Sequence, residues 1–147
     1  MILIQNKNNN AANVISWKTK KISRVFRSVK TAETRAIDDA IDEGVHAGRI
    51  LKEIFNGFVD LKAPDQLPVV AYTDSKSLWE SVHNSRQCEE KLLRNTIAAL
   101  KEFVEEGVVQ SIEWVPTTKQ LADCMTKKDK KADWLLNISN QNILAVK

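Results

Sequence analysis

Between Thr31 and Phe55, Ile37, Ala40, Ile41, Val45, Ile50, Leu51 and Ile54 recur at helical spacing, while Asp38, Asp39, Asp42 and Glu43 fall largely on the other side. A helix this long with one apolar side has to cover something, and the rest of the chain must supply it. Gly44 and Gly48 weaken the helix or let it approach a neighbour closely. Ile2-Leu3-Ile4 and Val14-Ile15-Ser16-Trp17 predict two strands joined by an Asn-rich hairpin loop. Val69-Val70-Ala71-Tyr72-Thr73, bounded upstream by Pro64 and Pro68, predicts a buried strand, followed by a short helix with Ser75 as a plausible N-cap. Leu92, Leu93, Ile97, Leu100, Phe103 and Val104 make one face of a helix over Glu89–Glu106, and Gly107 is placed to end it.

Val108 to Val115 predicts a strand with Val109, Ser111, Glu113 and Val115 on one side and Val108, Gln110, Ile112 and Trp114 on the other. Pro116 stops it. Thr117-Thr118-Lys119-Gln120 has the form of a capping box opening a helix through about Lys127, and Trp134-Leu135-Leu136 suggests a further turn. Strands alternating with helices predict an α/β layered domain, and the initial hairpin makes its sheet mixed rather than all-parallel. With 147 residues, 43% apolar and 28% charged, the expectation is one folded domain over residues 1–136 and a polar tail over 137–147.

No apolar run is long enough to span a bilayer, and Met-Ile-Leu-Ile is too short for a signal-peptide core, so a soluble, intracellular protein without membrane contact is expected. Cys88 and Cys124 form no C-x-x-C pair and predict reduced, packed thiols. The net charge is only +3, yet Lys18, Lys20, Lys21, Arg24, Arg27 and Lys30 stand together with no acid among them. Residues 127–131 add four lysines and Asp129, which leaves an acidic remainder. Basic stretches of this kind contact polyanions or form solvated surface.

Three acids stand apart from the acidic side of the long helix. Glu33 lies one turn before Ile37, along the apolar stripe. Asp74 sits where the strand over 69–73 gives way to a helix, and Asp123 lies in the first turns after the capping box, among Leu121, Ala122 and Cys124. Each also has a local reading: Asp74 as a cap or turn residue, Glu33 and Asp123 as partners of a helix dipole. His46, His83 and the tryptophans at 17, 79, 114 and 134 suit surface or packing roles.

"ISWKTKK", "TAET" at Glu33, "YTDSKSL" at Asp74 and, most specifically, "WVPTTKQLADCMTK" at Asp123 occur in an order that resembles the RNase H domain of copia-type retrotransposon polyproteins, over about Ile15 to Leu136. The resemblance implies a ribonuclease H-like fold, a five-stranded mixed sheet with flanking helices, cutting the RNA strand of an RNA–DNA hybrid in the cytoplasm, a virus-like particle or the nucleus. It implies Glu33, Asp74 and Asp123 as ligands of Mg²⁺, with Mn²⁺ as a substitute, because hard cations take oxygen donors. It also implies that Lys18, Lys20, Lys21, Arg24, Arg27 and Lys30 face phosphates. The family carries a further Asp on a first, central strand, and no Asp or Glu precedes Glu33 here. The expectation is therefore a domain without that strand, impaired in catalysis alone, complemented by a strand from another chain or retained as a non-catalytic binding module.

Overall fold

The first apolar run of the chain pairs with the second. Strands β1 (Ile2–Gln5) and β2 (Ala12–Ser16) lie antiparallel, Leu3 opposite Val14 and Gln5 opposite Ala12, as the sequence predicts. The Asn6 N–H donates to the Ala11 carbonyl at 2.8 Å at the loop end of the hairpin. The computed structural model describes residues 1–6, 11–19, 28–57, 67–84, 91, 93–125 and 133; the expected turn at 134–136 and the tail lie outside them, as do Cys88 and the basic residues Lys20, Lys21, Arg24 and Arg27. The architecture is mixed α/β. It divides into two units, Met1–Ser23 with Pro116–Lys147, and Arg24–Val115.

In the first unit the capping-box helix does not form. Thr117–Lys119 and Leu121–Met125 are two 3-10 turns, separated by Gln120 in an extended conformation. The Lys119 N–H is bonded to the Pro116 carbonyl at 2.8 Å, and no side chain caps the turn. Once Gln120 leaves helical geometry it cannot complete a box with Thr117. Met1, Val14 and Trp17 from the hairpin line a shallow apolar pocket with Met125 of the second turn.

The second unit is built around helix α1 (Val29–Asn56). Ser28 caps it, its Oγ accepting the Thr31 N–H at 3.2 Å, and Gly57 ends it at a φ of 77° that favours glycine. Thr34, Ile37, Ile41 and Val45 are the buried positions. The expected stripe is too long: Ala40 is exposed, and so are Ile50 and Ile54. Helical spacing fixes which residues share a side, while the extent of the partner surface fixes how many are covered. That surface comes from helices α2 (Lys76–His83) and α3 (Arg94–Glu105) and strands β3 (Val70–Thr73) and β4 (Ser111–Trp114). Leu78, Val82, Leu93, Ile97, Leu100, Val109 and Ile112 close the core over Ile37, Ile41 and Val45.

Strands β3 and β4 pair in parallel, Val70 opposite Ser111 and Thr73 opposite Trp114. Among the described residues the four strands form two separate pairs, where the sequence predicts one mixed sheet. Gly107, at a φ of 73°, ends α3 as predicted. The alternation expected over 108–115 fails, because both Val109 and Ile112 are buried. Residues 108–110 form a bend, tied by the Val109 N–H to the Phe103 carbonyl at 3.0 Å, so regular pleating starts only at Ser111. No helix among the described residues is long and apolar enough to cross a membrane.

Gly44 and Gly48 face the segment that leads into β3. A Cβ on Gly48 would meet the Leu67 Cβ at 3.9 Å, an ordinary contact. Gly48→Ala is accordingly expected to raise stability by about 0.5–1 kcal/mol through helix propensity. Urea denaturation checks this, and a loss of stability would mean that α1 needs glycine there.

Candidate metal and nucleic-acid site

The strand-to-helix turn after β3 is held from three directions. The Val115 N–H donates to the Thr73 carbonyl at 2.9 Å, continuing the pairing with β4. The Asp74 carbonyl accepts the indole N–H of Trp114 at 3.2 Å. The Ser75 carbonyl receives the Trp79 N–H at 3.1 Å and so starts α2. Ser75 occupies the cap position but makes no side-chain cap bond; its N–H instead donates to the Thr73 hydroxyl at 3.1 Å. The local bonding that could have explained an Asp in this turn is therefore made by Thr73, which is buried.

Asp74 is half-buried, and its carboxylate has no hydrogen-bond or ion-pair partner among the described residues. Glu33 is half-buried in the first turns of α1, directly before the fully buried Thr34 and four residues before Ile37. Both acids belong to the unit Arg24–Val115, in which α1 packs on β3. Asp123 belongs to the other unit, where it is 7% exposed in the turn Leu121–Met125, its N–H bonded to the Gln120 carbonyl at 3.2 Å. It sits in a 3-10 turn rather than the predicted α-helix. No three His, Cys, Asp or Glu side chains gather as a metal-holding group among the described residues. Carboxylates are the oxygen donors that Mg²⁺ prefers, and among the described residues no neighbour engages that of Asp74.

Of the basic residues, Lys18 is exposed after β2, and Lys30 is half-buried in the first turn of α1. The Lys30 Nζ donates to the Ser81 hydroxyl at 2.8 Å, which in turn donates to the Ser77 carbonyl, so this lysine ties α1 to α2. His83 stacks on Trp79 with ring centroids 4.5 Å apart and its Nδ1 lies 2.9 Å from the Trp79 carbonyl, the packing role expected of both. Cys124 is half-buried with its Sγ 3.4 Å from the Leu121 carbonyl. Trp114, expected in the strand over 108–115 with a surface or packing role, also donates its indole N–H to a carbonyl forty positions away, a bond that leaves no periodic or motif signal.

On the acidic side of α1, burial raises Asp38 above the usual carboxylate range, and Asp42 and Asp39 add to the shift against the counteracting Arg35 guanidinium 3.3 Å away. The folded state thus holds this proton more tightly than the unfolded chain, so stability falls as pH rises from the ordinary Asp value through the raised one. Asp38→Asn is expected to flatten that acid-range slope and to stabilise the protein above it. Melting curves from pH 3 to 7 check this, and parallel profiles for the two proteins would refute it.

Searches with the chain return no matching family model, no matching curated protein and no matching solved structure.

Proposed function

We propose that this chain is a ribonuclease H-like domain of the retrotransposon type, which binds RNA–DNA hybrid and cleaves its RNA strand with Glu33, Asp74 and Asp123 as the metal-holding carboxylates. The observation that carries the reading is Asp74, an acid at the end of a strand, with its local turn role taken by Thr73 and its carboxylate without a partner among the described residues. An antiparallel pair and a parallel pair are also the two kinds of pairing that the family's mixed sheet combines. A bound Mg²⁺ supplies activation of the attacking water and stabilisation of the leaving oxygen. The chain's own contribution is to hold Glu33 on α1 and Asp74 in the turn after β3 in one unit, while Lys18, Lys30 and the neighbouring basic residues take up phosphates without regard to sequence. Hybrid is recognised by helix shape and 2′-hydroxyls.

A second reading, hybrid binding without cleavage, needs only the basic residues, of which Lys30 is held in place by the Ser81 hydroxyl. The test is cleavage of a labelled RNA–DNA hybrid by residues 1–147 in Mg²⁺ and in Mn²⁺, with Asp74→Asn as control. Cleavage that the substitution abolishes supports the nuclease. Salt-sensitive binding of intact hybrid by folded protein supports the second reading. Folded protein that neither binds nor cuts hybrid overturns both.

A further inference from the structure

We propose that Trp114 is the positioning residue that sets the Asp74 carboxylate, an inference that rests on Asp74 being a metal ligand. Three consecutive carbonyls carry the chain from β3 into α2, those of Thr73, Asp74 and Ser75. Backbone N–H groups bind the first and the third: Val115 that of Thr73, and Trp79 that of Ser75. Only the middle one, on the acid itself, is held by a side chain, through the Trp114 indole N–H at 3.2 Å. Secondary structure therefore holds the carbonyls on either side of Asp74 whatever their side chains, whereas the peptide that follows the acid is held by two side chains, the Trp114 indole on its carbonyl and the Thr73 hydroxyl on its Ser75 N–H.

The arrangement follows from the strand register. Thr73 is opposite Trp114 in the parallel pair, so the last residue of β4 stands beside the last residue of β3. The indole reaches one position past its own register partner. Trp114 is 41% exposed, which is a poor use of the largest apolar side chain if packing were its purpose. The N–H is then the part of the ring that this position needs, since indole is a donor only and the Asp74 carbonyl is an acceptor. Losing that bond leaves the peptide following Asp74 held only at its Ser75 N–H, by the Thr73 hydroxyl, and widens the range of positions open to the carboxylate, which weakens a site built from few ligands. Partners that orient metal ligands from behind are typically worth about 10-fold to 100-fold in metal affinity.

The experiment is a Mn²⁺ titration followed by electron paramagnetic resonance of the free ion. It uses the wild-type chain, Asp74→Asn, Trp114→Phe, and a chain carrying 3-benzothienylalanine at position 114, which keeps the indole shape and lacks the N–H. Melting curves show whether each chain is folded, and the Trp114 indole ¹H–¹⁵N resonance is recorded with and without Mg²⁺. The expected result is Mn²⁺ binding lost in Asp74→Asn and weakened about 10-fold in both Trp114 variants. The indole resonance should move on adding Mg²⁺ only when Asp74 is present, a coupling that a purely structural tryptophan does not produce. Unchanged Mn²⁺ affinity in the benzothienyl chain, with binding still dependent on Asp74, overturns the positioning role and leaves the metal site standing. Absence of any Asp74-dependent Mn²⁺ binding by the folded wild type overturns the metal site and this inference together.

Discussion

Leu100→Ala is expected to cost roughly 2–5 kcal/mol and to produce the largest loss of stability of any single truncation considered for the unit Arg24–Val115. Leu100 is 0% exposed on α3, inside the cluster shared by α1, α2 and the bend before β4. Shortening it removes apolar contacts and leaves a cavity between elements that regular backbone holds in place, so little of the gap can close. Because domains of this size are stable by only about 5–15 kcal/mol, the lowered melting temperature should be plain in a thermal scan. Ile54→Ala is the matched control. That residue belongs to the predicted apolar stripe of α1 but is 70% exposed, and its truncation should fall within about 0.5 kcal/mol of wild type. Equal effects for the two substitutions would mean that the core is placed wrongly.

Asp74→Asn is expected to lower metal-dependent cleavage of the hybrid by at least about 10²-fold while leaving the melting temperature nearly unchanged. Two facts separate the effects. The turn is built by the Thr73 hydroxyl and by backbone carbonyls, all of which survive the substitution. The carboxylate has no partner among the described residues, so the amide leaves no donor unsatisfied. Asn keeps the shape but loses the negative charge that a hard cation requires. Retained cleavage in the purified variant would remove Asp74 from the ligand set. Loss of cleavage with a large drop in melting temperature would assign Asp74 to the fold instead.

What could be read in advance follows physical lines. The hairpin, α1, β3 and the end of α3 at Gly107 were visible because each is specified by neighbours in sequence: alternation, helical spacing, a proline boundary, a glycine that tolerates positive φ. The failures are places where a distant partner decides. The bend at 108–110 exists because Val109 and Ile112 both have a core to enter, and alternation cannot express a spacing of three. The exposed end of α1 reflects where its partners stop. Gln120 follows the geometry of the turns after Pro116 rather than the box its letters suggest. The candidate carboxylates came from motif resemblance, with Asp74 and Glu33 in one unit and Asp123 in the other. Trp114 could be found only in three dimensions.

Lys30 carries a thermodynamic consequence of its own. Immobilising a lysine side chain on binding costs up to about 1.5–2 kcal/mol of rotamer entropy. Here the bond to Ser81 exacts that ordering during folding, before any anion arrives. Under the proposed function, a phosphate reaching the start of α1 would meet an ammonium group already in place, with the Ser81 hydroxyl as its competitor. Lys30 thereby offers a preorganised contact at the start of α1.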